Sequence, residues 1–550
     1  MARLDRVAAV KEIAQIGAAI GREFRYELIA DVVSMTQAPL DAVLAQLTDA
    51  GLAFRRGTPP NATYTFKHAL VQDVAYDSLL KSRRQELHRK IARVIEERFP
   101  GIKATEPELL AHHLTAAGMD AVAVPFWHKA ATNAMERVAL VDALAHCARG
   151  LALLAAVADT RDRASQELAF QLVLGQASAL TNGWAAPEPA QAFSRARKLC
   201  EAVGDAPEVF PALWGVWAFL DVTGRMVEAQ AVALEFLAHA QRMGDGAAAC
   251  EGHRMVGEMA YRLGDLARAR SHLEQGVRIY GAEAHHGNIR LYGQDSCLTN
   301  LVYLAWVLWL LGFSDQARKA QRQAIAMAEG GGQPFGVAWA HLFDAFLQSN
   351  LRDWKIAGEA AEKVTAVCSE HGYGFWLAFG RCYLGIAQMH GNAAALSGES
   401  ARRQIDVLRS VGAEVSLTAI YALVADGYLA LGCVDDGLDQ VATGLALVEK
   451  TAERFAESEL HHLQGELLLR RGSPFHSQAE ACFVRSLEVA RRHQARSIEL
   501  RASTSLARLW QARGKRGEAH DLLEGVYDWF TEGFDTRDLM DAKALLDELA

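Results

Sequence analysis

The sequence predicts an all-α protein: a small head of three helices and a hairpin, then an α-α superhelix whose repeats run to about 40 residues. Three observations predict it. Only 12 prolines interrupt 550 residues, and Ala, Leu, Glu and Arg at helical spacing fill most windows, while strand-like alternation is nearly absent. Short breaks between amphipathic runs recur near Gly183, Gly224, Gly264, Gly312, Leu351, Gly391, Gly432, Gly472 and Gly514, spaced 39 to 48 residues apart. Such regularity marks a solenoid, each period holding two helices of about four turns. The exception is one β-prone stretch, Leu52–Phe66.

Taken in order, helical spacing places helices over Arg3–Ile16, Arg25–Ser34 and Pro39–Ala50, the last with Pro in its first turn and Gly51 behind it. Leu52–Arg56 and Thr63–Phe66 flank a Gly-Thr-Pro-Pro-Asn turn, a hairpin signal. Three helices and a hairpin make a winged helix, which with the basic helix after it is expected to occupy residues 1–104. The first hundred residues carry 15 Lys and Arg against 12 Asp and Glu, the remainder 42 against 54. An acidic body repels nucleic-acid phosphates, so DNA binding would have to sit in the head. There the third helix, which would read the groove, holds Asp41 and Asp49 and no basic residue, so nucleic acid is disfavoured as a partner. The basic stretch Lys81–Lys90 is interleaved with acids and suits a solvated face.

The repeats are expected over residues 105–530, with a C-terminal capping helix over 531–550. Seven residues before the breaks stand Trp217, Gly257, Ala305, Ala425, Gly465 and Ala507; five after stand Ala229, Ala269, Ala317, Gly437 and Ala519, with Ala479 seven after Gly472. Small residues there let paired helices approach closely. These positions resemble the tetratricopeptide repeat, with a period longer than its usual 34 residues. Trp214, Trp217, Trp306, Trp309, Trp339, Trp376 and Phe379 fall on the first helices of successive units, which line the concave face of such a superhelix. Trp214, Trp306, Trp339 and Trp376 are the candidate groove contacts, with Trp306 and Trp376 expected to be exposed. Tryptophans at helical spacing also suit a core.

Other chemistry finds little support. The eight cysteines are scattered without a CxxC pair, which argues against a zinc site or a disulfide framework. The longest apolar run, Leu301–Leu311, is short of the ~20 residues of a spanning helix, and no secretory leader is evident, so no membrane partner and a cytoplasmic location are expected. His112-His113, His285-His286 and His461-His462 are adjacent pairs that point about 100° apart on a helix, and Glu457 with His461 is a weak set, so no metal site is expected. No GxSxG occurs, and no catalytic residue is expected. No phosphate-binding G-x-x-x-x-G-K-[ST] occurs, and no cofactor is expected in this chain.

The segment TYTFKHALVQDVAYDSLLKSRRQELHRK (63–90) resembles the winged-helix segment of bacterial signal-transducing ATPases of the STAND class, of the kind fused to class III adenylate/guanylate cyclase domains. The start, MARLDRVAAVKEIAQIGAAIGREF, resembles the stretch after the ATPase module in those proteins. AESELHHLQGELLLRRG and the segment SLARLWQARGKRGEAHDLLEGVYDWFTEGFDTRDLMDAKALLDEL resemble their last repeats and cap. The resemblance implies the C-terminal half of such a protein: a non-catalytic signalling module that binds a protein or small-molecule effector and is coupled to an upstream ATPase or cyclase domain. It implies that His68, in FKHALVQD, senses the phosphates of ATP or ADP when that ATPase domain is present. The alternatives are a chain that carries a cyclase or ATPase name by similarity alone, and a winged-helix DNA-binding regulator.

Overall fold

A computed structural model describes residues 8–33, 35–158, 160–204, 207–281, 285–391 and 394–550, as backbone only at 8, 285–287, 290 and 394–398. The chain forms two compact units. The first runs to residue 209 apart from 183–190, which belong with the second.

The first unit opens with α1 (Ala8–Ile20), β1 (Glu23–Arg25), α2 (Tyr26–Val33), α3 (Gln37–Asp49), β2 (Ala53–Arg56) and β3 (Thr63–Phe66). The hairpin lies where its turn residues place it, and β1 joins it to give an antiparallel sheet of order β1-β3-β2, with Phe24 opposite Tyr64 and Ala53 opposite Phe66. Three residues are too few to show a period, so β1 has no sequence signature of its own. What anchors it is Phe24, buried with its ring 5.6 Å from those of Tyr64 and Phe66. A Cβ on Gly17 of α1 would lie 2.8 Å from that ring, so only glycine lets α1 approach the sheet this closely.

The unit continues as α4 (Ala69–Asp77), α5 (Lys81–Arg98), α6 (Pro100–Thr105), α7 (Pro107–Ala116), α8 (Asp120–Glu136), α9 (Leu140–Leu154), α10 (Arg161–Asn182) and α11 (Pro187–Val203). One hydrophobic core runs from Val10 to Phe170, unbroken at residue 104. The basic helix α5 is amphipathic: Leu87, His88, Ile91 and Ile95 are buried while Lys81 and Arg83 are exposed.

The second unit is an all-α helical-repeat solenoid of antiparallel pairs. They are α12 (Val209–Val222) with α13 (Met226–Met243), α14 (Gly246–Arg262) with α15 (Leu266–Ile279), α17 (Ser296–Leu310) with α18 (Ser314–Gly331), and α19 (Pro334–Asn350) with α20 (Trp354–His371). Then come α21 (Gly374–Met389) with α22 (Ala394–Ser410), α23 (Leu417–Leu431) with α24 (Val434–Thr451), α25 (Glu457–Arg471) with α26 (His476–His493), and α27 (Arg496–Ala512) with α28 (Arg516–Tyr527). A last helix, α29 (Arg537–Leu549), packs its Leu539, Ala542, Leu545 and Leu546 on α27 and α28. The 48-residue spacing between Gly264 and Gly312 is explained by an inserted short helix, α16 (His285–Tyr292). The two-residue shift at Ala479 is explained by a 3-10 turn over Ser473–Phe475.

From Gly224 on, each break falls between the two helices of a pair. Gly224, Gly264, Gly312, Gly432 and Gly514 turn the chain with φ between +73° and +92°, and at the glycine-free break Arg352 takes the same left-handed conformation at +61°. Asp245, Asp265, Asp295 and Asp353 cap helix N-termini by accepting backbone N–H bonds. The small residues do what their spacing implies. Ala229, Ala269, Ala305, Ala317, Ala425, Ala507 and Ala519 are fully buried, and a Cβ on Gly257, Gly437 or Gly465 would come within 2.7 Å of Leu273, Leu467 or Phe483.

The solenoid curls onto itself, so that its early turns meet segments 151 to 218 residues further on. Val222 O accepts from Glu414 N, Arg262 O from Arg454 N, and Trp309 O from the Ser497 hydroxyl. Glu532 accepts from Asp315 N and Gln316 N at the start of α18, and Arg318 pairs with Asp535. This seam gives the first helices a partner on their inner side, which is why α17 is buried all round. Among the described residues no single helix is long and apolar enough to cross a membrane.

Candidate functional site

The inner side of α12, α14, α17, α19 and α21 is built from aromatic residues on one face and charged residues on another. Six of the chain's 11 tryptophans (Trp184, Trp214, Trp217, Trp306, Trp339 and Trp376) line one cavity of about 120 Å³. Val415 and Ser416, from the segment before α23, complete its wall. The rings meet at steep angles: Trp184 and Trp214 at 80° with centroids 5.3 Å apart, Trp339 and Trp376 at 87° and 4.6 Å. Edge-to-face contact holds such rings as walls rather than as a collapsed stack. A neighbouring cavity of about 350 Å³, lined by Tyr280, Asp295, Leu298, Met327 and Phe335 among others, shares Gln294 and Trp339 with the first.

All four expected groove tryptophans converge here. Trp214 and Trp376 are partly exposed to the cavity, but Trp306 is not the exposed residue expected. It is 4% exposed, stacked on Phe343 at 4.2 Å, and donates its indole N–H to the Phe343 carbonyl at 2.9 Å. Tyr261, Phe343 and Phe346 of the flanking repeats cover it. Trp309 faces elsewhere, with the Arg501 guanidinium 5.4 Å from its ring.

Beside the aromatic wall lies a buried charge network that no sequence motif announces. Arg254 pairs with Glu251 at 2.7 Å and with Glu258 at 2.5 Å. Arg262 meets Glu258 at 2.7 Å, Glu453 at 2.9 Å and Asp221 at 3.0 Å. Tyr303 donates to Glu258, Trp214 and Ser296 donate to Glu251, and Thr418 donates to Glu453. Burial alone would lower the Arg254 guanidinium, but Glu251 and Glu258 hold it above its ordinary value. Burial pushes the Asp221 carboxyl up to about 7, against the pull of Arg262 and with Glu258 and Glu453 adding to the rise. Asp221 Oδ1, Trp217 Nε1 and Trp339 Nε1 are buried without a hydrogen-bond partner among the described residues.

On α14 the acids and arginines stand three and four apart, the pattern of a solvated salt-bridged face. The signal that tells against water was present: Ala248, Cys250, Gly252, Met255, Val256, Gly257, Met259 and Ala260 occupy the other faces and leave no polar side for solvent.

The other singled-out residues lie apart from this cavity. His68 stands at the N-cap position of α4, extended and exposed, with no side-chain bond to the helix. His113 is buried with its Nδ1 2.9 Å from that of His88, and burial holds both rings below the ordinary histidine value, His88 at about 4. His462 meets the Ser505 hydroxyl at 3.1 Å on a third cavity of about 310 Å³, where Arg501 pairs with Asp538 and Glu459. His285 and His286 lie outside the described side chains.

No family model matches the chain. An uncharacterized protein of Rhizobium meliloti (strain 1021) is 21% identical over 515 residues, covering 92% of this chain and 49% of that protein, so the chain spans about half the length of this relative. Among solved structures, a Rap protein complexed with competence and sporulation factor is similar at a TM-score of 0.49 and 14% identity, over 68% of this chain and 98% of that one. The Cut9–Hcn1 hetero-tetramer of the APC/C is similar at 0.43 and 11%, over 95% and 91%. A STAND protein with a tetratricopeptide repeat sensor from Pyrococcus horikoshii is similar at 0.28 and 11%, over 98% and 64%.

Proposed function

We propose that this chain is a non-catalytic sensor arm, a tetratricopeptide-like module that binds a small effector in its tryptophan-lined cavity and is coupled through a winged-helix head to an ATPase or cyclase domain of a longer protein. The observation that carries the reading is the cavity itself: six tryptophans hold open a space beside two buried indole donors and a carboxylate oxygen that lack hydrogen-bond partners among the described residues. Ligand sites are concave and largely apolar, and buried polar groups are ordinarily satisfied, so a tryptophan-walled cleft beside unbonded indole donors has the character of a binding site. The seam gives the effector leverage. Ser416, Glu453 and Arg262 join one turn of the solenoid to the next at the cavity wall, so a ligand that shifts them biases how tightly the solenoid is wound. The head's three helices and β1-β3-β2 sheet suit a winged helix, and the exposed His68 is free to face a nucleotide held by the partner domain.

The test is thermal denaturation of the purified chain across a panel of amines, carboxylates, sugars and nucleotides, beside Ala218→Phe, which fills the cavity from its own wall. A ligand at a hundredfold excess over its Kd stabilises by about 2.7 kcal/mol. At least one compound is expected to raise the melting temperature of the wild type and not of the variant. Equal shifts in both proteins, or none in the wild type, would overturn the reading.

A further inference from the structure

The chemistry of the cavity wall narrows what it can hold, on the reading that it is the effector site. Among the described residues, the carboxyls of Asp221, Glu251, Glu258 and Glu453 are buried with the guanidiniums of Arg254 and Arg262, an excess of two negative charges once Asp221 has lost its proton. Glu251, Glu258 and Glu453 are each saturated by short bonds, whereas Asp221 Oδ1, on the cavity wall, has an ion pair with Arg262 and no hydrogen-bond donor in line. An anion would add to the surplus, and a neutral ligand would leave it in place. The aromatic wall points the same way. Tryptophan faces attract cations through the ring quadrupole, most strongly where water is excluded. One does so here already, since the Arg254 guanidinium sits 4.5 Å from the Trp217 ring. The space of about 120 Å³ is of the order of an apolar cavity of about 150 Å³ that accepts benzene, so a compact head group fits.

We infer that the cavity binds a small organic cation, an alkylammonium head group enclosed by the tryptophan rings, with Asp221 as its counter-charge.

The probes are choline, its neutral isostere 3,3-dimethylbutan-1-ol and the anion 3,3-dimethylbutanoate, titrated into the full chain at pH 8 and followed by tryptophan fluorescence. Choline is expected to quench saturably and to bind at least tenfold tighter than the alcohol, with no binding of the anion. Asp221→Asn is expected to cost choline tenfold or more while leaving the alcohol's affinity alone. Trp376→Phe, which keeps an aromatic face, is expected to retain choline binding that Trp376→Leu loses. Asp221 faces Arg262, Glu258, Glu453 and Arg254, and its proton leaves near pH 7, so choline affinity should rise between pH 6 and pH 8. Alcohol binding as tight as choline, preferred binding of the anion, or unchanged choline affinity in Asp221→Asn would overturn the inference while the effector-cavity reading stood. Choline failing to bind while other compounds stabilise the wild type and not Ala218→Phe would do the same. If nothing binds, both fall.

Discussion

Asp221 provides a stability measurement whose size and sign come from its surroundings. The carboxyl is 7% exposed, and burial lifts it from an ordinary value of 3.8 to about 7. Between those two values the folded protein binds a proton that the unfolded chain has released, so this group's contribution to stability is fully present below about pH 4 and is lost as pH rises through 7. At about 1.36 kcal/mol per unit, the loss between pH 5 and pH 8 is about 3 kcal/mol. Asp221→Asn abolishes the titration, and Arg262 still keeps Glu258 and Glu453 as partners. Urea denaturation of both proteins, followed by tryptophan fluorescence at pH 5 and pH 8, reads the term together with the response of Glu258 and Glu453, which face the same carboxyl, while more distant titrating groups cancel in the difference. The variant should gain about 3 kcal/mol on the wild type between the two pH values. Parallel pH profiles would refute the argument, and so would a wild type that gains on the variant as pH rises.

Arg262→Met removes the guanidinium that pairs with Asp221, Glu258 and Glu453 together, and breaking a buried network in this way should cost about 3–5 kcal/mol, read as a lowered urea midpoint at pH 8. Gly465→Val forces a side chain to within 2.5 Å of the Phe483 ring and should destabilise by about 1–3 kcal/mol. The contrasting Gly517→Ala, on α28 with nothing within 4 Å, should be neutral or stabilising by about 0.5–1 kcal/mol in the same assay. His68→Ala should leave the melting temperature unchanged, within about 0.5 kcal/mol, because the exposed ring bonds to nothing on its helix.

What could be read from the residues was whatever recurs along the chain. The breaks located the turns within the helix pairs from Gly224 onward, all but one of them at a glycine, and the alanines beside them located the close helix contacts, because both are local requirements of an α-α turn. The seam was hidden, since a bond such as Arg501 to the Asn350 carbonyl depends on how far each repeat rotates, and no single repeat encodes that. The tryptophans could be placed on the first helices, but whether Trp306 lay open or covered depended on Tyr261, Phe343 and Phe346 of the flanking repeats, which the spacing within one repeat does not show. The charges of α14 carried no site signal, because a buried ion network and a solvated face share the same i,i+3 and i,i+4 spacing. The pair preceding Gly183, α8 with α9, turns at Val138, a residue that carries no glycine signal, at φ +59°.

The most direct test of the cavity as a ligand site uses 5-fluorotryptophan-labelled protein and fluorine NMR, titrated with whichever compound raises the melting temperature most. The resonances of Trp184, Trp214, Trp217, Trp306, Trp339 and Trp376 should shift together and saturate at one concentration, while those of Trp354, Trp510 and Trp529 stay in place. Shifts confined to the latter three, or a stabilising compound that moves none of the six, would contradict the account.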